Sequence, residues 1–166
     1  MARNKKSVTL DLRSDEGRAI AKQLALKADV LVENFLPGRM EEWGLGPEDL
    51  KPENPKLVYA RVSGYGQTGP LSRKPAMDPL LQAYTGFMTS NADSDGVPQR
   101  AQPIIVDMST ALYAHQAVAA ALYAKRDEPG SRFLDISLMA AAANLQVVRF
   151  ASTVQEGKEP PPGSSP

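Results

Sequence analysis

Pro103-Ile-Ile-Val-Asp107-Met-Ser-Thr-Ala-Leu112 is a short apolar run that meets a single carboxylate and continues into a long helical pattern. The β-branched residues 104–106 are typical of the end of a buried strand, and apolar residues recur at helical spacing over residues 109–125. The pattern therefore places Asp107 at the start of a helix. There, free backbone N–H groups and the helix dipole favour an ionised carboxylate. Such a group suits a structural N-cap, the simpler interpretation of the local pattern, and equally an anionic nucleophile.

The composition excludes several classes of function. The 166 residues suffice for one domain, and 19 Lys and Arg balance 19 Asp and Glu, so no overall charge attracts nucleic acid or an anionic membrane. The absence of cysteine excludes disulfides and thiol catalysis, and the lone His115 leaves no histidine cluster for a metal. Because no run approaches the ~20 apolar residues of a membrane span, we expect a soluble, cytoplasmic protein without a metal cofactor.

Strand and helix patterns alternate along most of the chain. The sequence predicts strands at residues 7–12, 30–34, 57–62 and 132–137, besides the strand end at 104–106. It predicts helices at residues 15–28, with Ser14 as N-cap, and at 38–43, 47–50, 80–88, 109–125 and 138–155. This order predicts an α/β fold with an open, mostly parallel sheet of at least four strands flanked by helices. The domain would span residues 1–155, followed by a Pro-, Gly- and Ser-rich tail or truncated linker at residues 156–166.

Two loops leave the carboxyl ends of predicted strands, the edge where open α/β sheets bind ligands. The first is Asn34-Phe35-Leu-Pro-Gly-Arg39, after the strand at residues 30–34. The second, Ser63-Gly-Tyr-Gly-Gln-Thr-Gly-Pro70, has three glycines but lacks the spacing of a dinucleotide-binding or Walker A loop. The first loop is therefore a candidate for a ligand site, and the second is expected to be a flexible or tightly turned loop.

Six sequence blocks are distributed over residues 5–152. They are Lys5-Lys-Ser-Val-Thr-Leu-Asp-Leu12, Ala28-Asp-Val-Leu-Val-Glu-Asn-Phe-Leu-Pro-Gly38, Asn54-Pro-Lys-Leu-Val-Tyr-Ala60, Ser63 to Pro70, Asp107 before its helix, and Asp135-Ile-Ser-Leu138. Together, with the spacing between them preserved, these blocks resemble the class III CoA-transferases, a family that includes formyl-CoA and carnitine CoA-transferases and α-methylacyl-CoA racemase. The resemblance implies the Rossmann-like large domain of that family.

The resemblance implies an enzyme that moves coenzyme A from an acyl-CoA to a carboxylate acceptor, with Asp107 as the nucleophile. An ionised carboxylate can attack a thioester to give a mixed anhydride, and the released CoA thiolate can return to give an aspartyl thioester. The same resemblance implies that CoA is bound by Leu10, Arg13, Asn34, Phe35 and Arg39. The simpler alternatives are a strand-end turn with a buried aromatic ring for the asparagine and phenylalanine, and solvated arginines. Glu42 stands where many members carry a basic residue.

Two alternatives to a CoA-transferase remain. The racemases of the family carry a histidine base thirty residues before the aspartate, where this chain has Met77, which has no proton to exchange. We expect His115 to be a packed or surface residue, so a racemase is disfavoured; the other alternative is a catalytically dead α/β remnant. Members of the family also begin with an additional β-α-β segment, continue into a second domain and form interlocked homodimers. We therefore expect an incomplete fragment that is inactive alone and dimeric when full length.

Overall fold

The structure is a computed structural model that describes residues 3–158 and 160–163. The strands in this part of the chain are β1 (Val30–Glu33), β2 (Val58–Ser63) and β3 (Arg132–Ser137). The helices are α1 (Asp15–Leu26), α2 (Arg39–Glu42), α3 (Pro47–Leu50), α4 (Asp78–Tyr84), α5 (Phe87–Ser90), α6 (Ile105–Ala124), α7 (Leu138–Asn144) and α8 (Val147–Glu156). None of these helices is long and apolar enough to cross a membrane.

The three strands form one parallel sheet in the order β1-β2-β3. Val30 pairs with Val58, and Val58 pairs with Arg132, so the three strands begin in register. The central strand β2 is buried along most of its length, including its polar residues Arg61 and Ser63. The expected α/β class, with an open parallel sheet flanked by helices, is confirmed. All three carboxyl ends lie along one edge.

Two separate hydrophobic clusters support the sheet. The first joins α1, α2, α3 and the start of β2, and its buried members are Ala25, Met40, Leu45, Leu50, Leu57 and Tyr59. The second joins α4, α6 and α7 through Leu81, Val106 and Ala142, with Ile105 and Leu138 packed beside them. The loop after β1 is therefore anchored to one cluster and the start of α6 to the other.

The predictions at residues 7–12 and 104–106 are wrong. Residues 7–12 form no strand, and Val8 in that segment is 63% exposed, because no neighbouring strand in the described chain supplies the ladder hydrogen bonds of a sheet. Ile105 and Val106 belong to the first turn of α6 instead of a strand end, and the helix starts earlier than residue 109. The sheet accordingly has three strands among residues 3–158 and 160–163, where we expected at least four.

Two predicted helices are each divided in two. Residues 80–88 break at Gly86, whose φ of +77° is a left-handed conformation that favours glycine. Residues 138–155 break at Gln146, whose buried side chain donates from Nε2 to the Thr85 carbonyl oxygen at 3.1 Å. Predictions with strong local signals are confirmed: Ser14 caps α1 by accepting from the Gly17 N–H at 3.0 Å, and β3 spans residues 132–137.

Part of the expected tail packs back onto the domain. The Arg149 Nη2 donates to the Pro160 carbonyl oxygen at 2.8 Å, and the Gly163 N–H donates to the Thr89 carbonyl oxygen at 3.1 Å. Residues 159 and 164–166 of that tail lie outside the described residues.

Candidate active site

A cavity of about 630 Å³ lies at the carboxyl edge of the sheet, where β1 and β2 end beside α6. Asp107 and Asn34 both line it, although 73 positions separate them in the sequence. Its remaining lining residues are Val32, Glu33, Val62, Ser63, Gly64, Ala76, Met77, Thr110, Ala111, Ala114 and Leu138. The edge rule for parallel sheets predicts the position of the Asn34 loop, whereas Asp107 reaches the same cavity from α6, which follows no strand directly.

The carboxylate of Asp107 makes no hydrogen bond or ion pair with any described residue. Asp107 is the third residue of α6 and is not its cap; the residue at the cap position is Ile104, which has no side chain able to accept a hydrogen bond. The expectation that Asp107 caps this helix is therefore wrong. Its backbone N–H is bound by another residue, and its side chain remains available to the cavity.

The start of α6 is capped by Asp78, which lies on α4. Asp78 Oδ2 accepts from the Val106 N–H at 2.7 Å and from the Asp107 N–H at 3.2 Å. Asp78 is 3% exposed, and its Oδ1 accepts from the Gln82 Nε2 at 2.6 Å. The sequence analysis missed this role because the capping residue lies 28 positions before the N–H group that it binds. The only local signal was an aspartate at a helix start, which also suits a cap of its own helix.

The pKa of Asp107 is raised, in contrast to the expected preference for the ionised form. Partial burial raises this pKa first, and the negative charge of Asp78 raises it further. Since Asp78 already binds two N–H groups of the first turn, the positive end of the α6 dipole faces that carboxylate and stabilises Asp107 less. A carboxylate with a raised pKa is a stronger nucleophile than an ordinary one once it is ionised.

A buried network of ion pairs stabilises the turn at Asn34 and Phe35. Glu33 Oε2 accepts from the Phe35 N–H at 2.7 Å, and Glu33 Oε1 accepts from the Arg61 Nε at 2.8 Å. Arg61 also donates to both carboxylate oxygens of Glu41, at 2.6 and 2.9 Å. Glu33 and Arg61 are each 5% exposed. The network fixes the backbone of the turn through the bond between the Phe35 N–H and Glu33. The sequence pattern did not indicate it.

A second cavity of about 220 Å³ adjoins the first. The two cavities share Asn34, Ser63, Gly64 and Ala76, and the second is also lined by Phe35, Leu36, Pro37, Ser72, Lys74 and Pro75. Lys74 is the only cation among the described residues that line the second cavity. The sequence did not indicate Lys74 as a site residue, because it lies in a loop with no helical or strand pattern. The alternative to a CoA contact for Phe35 was a buried aromatic; its ring instead packs edge-on against Trp43, with ring centroids 5.1 Å apart, and the residue is 41% exposed.

Three of the candidate CoA contacts line neither cavity. Arg13 is highly exposed and its Nε donates to Asp11 Oδ1 at 3.0 Å. Arg39 Nη1 donates to Glu42 Oε2 at 2.7 Å. Leu10 is half-buried beside the start of α1. Asn34, Phe35 and Asp107 line the two adjoining cavities. Of the other three residues, Arg39 is the nearest to Phe35, since both side chains contact the Trp43 ring.

Met77 and His115 are the two residues from which the sequence disfavours a racemase. Met77 lines the larger cavity with Asp107 and is 64% exposed, so the position expected to face the aspartate does reach the cavity. His115 is exposed on α6 and lines neither of the two cavities. In residues 3–158 and 160–163, no three His, Cys, Asp or Glu side chains cluster as metal ligands would.

Comparison with known proteins identifies the family. The model of CoA-transferase family III matches residues 1–165. An acyl-CoA transferase of Fusarium pseudograminearum is 44% identical over 144 residues, which cover 86% of this chain and 31% of that protein. The human succinyl-CoA:glutarate CoA-transferase is 37% identical over 139 residues, covering 84% of this chain and 32% of the relative.

A solved structure gives the same result for the fold. The crystal structure of a CAIB/BAIF family protein from Brucella suis superimposes with a TM-score of 0.92 at 31% identity, covering 97% of this chain and 43% of that one. The chain spans about a third of the length of the curated relatives named above. The sequence match and the shared fold together show that this chain belongs to CoA-transferase family III.

Proposed function

We propose that this chain carries the nucleophile and part of the CoA site of an enzyme that transfers coenzyme A from an acyl-CoA to a carboxylate acceptor. One observation carries the proposal: Asp107 lines the cavity of about 630 Å³ at the carboxyl ends of β1 and β2, and its carboxylate has no bonding partner among the described residues. A carboxylate that only stabilised the fold would be expected to bind N–H groups or a cation, as Asp78 and Glu33 do.

The proposed reaction passes through two covalent species. An oxygen of ionised Asp107 attacks the thioester carbonyl of the acyl-CoA, the C–S bond breaks, and CoA leaves as a thiolate, which gives a mixed anhydride between Asp107 and the acyl group. The thiolate then attacks the Asp107 carbonyl carbon of that anhydride, which releases the donor acid as a carboxylate and leaves an aspartyl-CoA thioester. An acceptor carboxylate repeats the two steps in reverse order, so that the new acyl-CoA forms and Asp107 is regenerated.

Coenzyme A would lie along the smaller cavity with its thioester toward the larger one. The turn at Asn34 and Phe35 lines the first part of that path, and Lys74 offers the charge that a phosphate group needs. Leu10, Arg13 and Arg39 remain proposed contacts from the resemblance. For Arg13 to bind a phosphate, its guanidinium would have to exchange Asp11 for the ligand, which its exposure permits.

The larger cavity favours a transferase over a racemase. A racemase of this family needs a second proton-transferring group opposite the aspartate, and the position where the family carries it is occupied here by Met77, whose thioether cannot exchange a proton. A transferase needs no such base, because both of its steps are attacks by anions. A catalytically dead remnant remains the alternative that a direct test of the intermediate must exclude.

Trapping of the covalent intermediate tests the proposal. The chain is incubated with succinyl-CoA, treated with hydroxylamine, and digested for peptide mass spectrometry. The expected result is a hydroxamate on Asp107, lost in Asp107→Asn and retained in the control Asp95→Asn, an exposed loop aspartate. Since the curated relatives are about three times as long, the same assay is run with this chain replacing the matching segment of the Fusarium relative. A hydroxamate that persisted in Asp107→Asn would show that another residue is the nucleophile.

Calorimetric titration with CoA tests the proposed binding residues. Lys74→Ala is expected to weaken binding about tenfold, the effect of losing one charge-assisted contact of roughly 1.4 kcal/mol. Asn34→Ala should weaken it as well, and Arg13→Ala measures whether the exposed arginine takes part. Lys56→Ala, an exposed lysine remote from both cavities, is the matched control. Equal affinities for the Lys74 and Lys56 variants would contradict the proposed phosphate position.

A further inference from the structure

The first turn of α6, which carries Asp107, has no cap from its own sequence. Ile104 occupies the cap position, and Pro103 precedes it. The N–H groups of Val106 and Asp107 instead bind one oxygen of Asp78. Because unsatisfied N–H groups at a buried helix end are costly, the position of this turn is determined by a carboxylate on another helix.

Asp78 is in turn fixed by a second buried side chain. Gln82, one turn further along α4 and fully buried, donates from Nε2 to Asp78 Oδ1 at 2.6 Å. Its Oε1 accepts from the Ala101 N–H at 2.9 Å, so it also holds the segment that leads into α6. Both the approach to α6 and its first turn are thereby attached to one face of α4, beside the buried side chain of Leu81.

We propose that Asp78 is a positioning residue for Asp107: with Gln82 holding it, its carboxylate fixes the first turn of α6 and sets the charge beside the reacting carboxylate. This inference rests on the proposed function for its catalytic meaning, but the structural coupling can be measured without any reaction. Among the described residues, the Asp78 carboxylate hydrogen-bonds only to the N–H groups of Val106 and Asp107 and to Gln82, and Asp78 lines neither cavity, so it acts through Asp107 and not on the substrate.

The charges around the larger cavity are consistent with this coupling. The negative charge of Asp78 contributes to the raised pKa of Asp107, after burial. The other ionisable residue that lines the cavity is Glu33 on β1, whose charge is paired with Arg61. The lining residues from the end of β2, from the segment before α4 and from α7 carry no charge. Asp78 is therefore the group whose removal should change the titration of Asp107 most.

Two variants change the charge at position 78 while keeping an acceptor there for α6: the first removes the charge, and the second moves it to position 82, whose side chain bonds neither N–H group of α6. Asp78→Asn retains one oxygen for the two N–H groups of α6, but its new amide faces the Gln82 amide. The double variant Asp78→Asn/Gln82→Glu resolves that conflict, because the amide at position 78 can donate to the carboxylate at position 82, which still accepts from Ala101. Leu81→Ala is the control, because it creates a cavity where α4 packs against α6 and α7 but removes none of these hydrogen bonds.

The readout is the titration of the Asp107 side-chain carboxyl carbon, followed by ¹³C NMR in the 166-residue chain. We expect the pKa of Asp107 to fall toward the ordinary aspartate value in Asp78→Asn, and to fall by less in the double variant, which keeps a negative charge at position 82. It should stay unchanged in Leu81→Ala even where the melting temperature drops. Where Asp78→Asn does not fold, the double variant carries the comparison. An Asp107 pKa that is unchanged in the folded variant, or that shifts equally in Leu81→Ala, overturns the inference.

The rate of adduct formation with succinyl-CoA gives the second readout. We expect about a tenfold slower formation in Asp78→Asn at neutral pH, with the acidic limb of its pH profile moved to lower pH. A normal adduct in the wild-type chain with an unshifted profile in both Asp78 variants would refute the role of Asp78 and leave the proposed function intact. A shifted Asp107 pKa in the variants, in a protein whose Asp107 never forms an adduct, would refute the proposed function and leave the coupling intact.

Discussion

Arg61→Leu is the substitution that most directly tests how the Asn34 turn is held. The side chain of Arg61 binds Glu33 through one hydrogen bond and Glu41 through two, and it stacks over the ring of Phe133, with its guanidinium carbon 5.9 Å from the ring centroid. Leucine keeps some of the apolar contact but removes the only cation of the network. It leaves the Glu33 carboxylate buried with the Phe35 N–H as its remaining bonding partner.

The size of the effect follows from the burial of the two charges. The side chains of Arg61 and Glu33 are 6% and 3% exposed, and breaking a buried pair by removing one partner costs about 3–5 kcal/mol. Glu41, whose side chain is 44% exposed, can be solvated again at little cost. The pKa of Glu41 is consistent with its partial exposure. Partial burial raises this pKa, but the hydrogen bonds and charge of Arg61 lower it by more, so that it lies below its ordinary value.

The control is Arg39→Leu, which breaks an ion pair of the same chemistry at the surface. The side chains of Arg39 and Glu42 are 49% and 59% exposed, so we expect a loss below about 1 kcal/mol. Urea unfolding of the two variants gives the comparison, and Glu33→Leu/Arg61→Leu should recover most of the loss because it leaves no unpaired buried charge. Equal losses in the two single arginine variants would refute the assignment of Arg61 as a buried structural cation.

Two further substitutions have expected outcomes. Because the pKa of Asp107 is raised in the folded state, the folded chain binds more protons than the unfolded one just above pH 3.8, and stability falls as pH rises through that window. Asp107→Asn should therefore unfold at a higher urea concentration than the wild type at pH 7 and at the same concentration near pH 3; a less stable variant at pH 7 would contradict this. Gly64→Ala would place a Cβ 2.3 Å from the Cβ of Ala76 and should cost about 1–3 kcal/mol in thermal unfolding. Ala76→Gly should restore part of that loss, and absence of any rescue would place the strain elsewhere.

Local signals accounted for most of the fold. Ser14 was identifiable as a cap because it bonds to an N–H three residues away, and β3 because the helix breakers Pro129 and Gly130 precede its apolar residues. The segment at residues 7–12 has the alternation of a strand, but alternation cannot say whether a partner strand exists. The same limit explains Ile105 and Val106, whose β-branched side chains pack equally well in the first turn of a buried helix.

The candidate site was predictable only in part, for a related reason. Asn34 and Asp107 follow from a rule about strand ends and helix starts, and the resemblance to the family names both. Asp78 and Arg61 act on groups 28 positions away in the sequence, through buried hydrogen bonds that leave no periodic pattern. A buried ionisable residue must find a partner, but sequence reasoning does not say which one, since the choice depends on the packing of helices that are distant along the chain.

The two halves of the candidate site are supported independently and meet at the end of β2. The turn at Asn34 rests on the Glu33 and Arg61 network and on the first hydrophobic cluster, whereas Asp107 rests on Asp78 and on the second. Gly64 stands between them, lines both cavities, and accepts from the Met139 N–H of α7 at 3.0 Å. Its lack of a side chain lets the segment before α4 approach the sheet. Gly64 is therefore the backbone position that the turn side and the nucleophile side of the candidate site share. We expect a substitution of Gly64 to change the alignment of the CoA path with the Asp107 carboxylate while the Glu33–Arg61 network and the Asp78 hydrogen bonds remain.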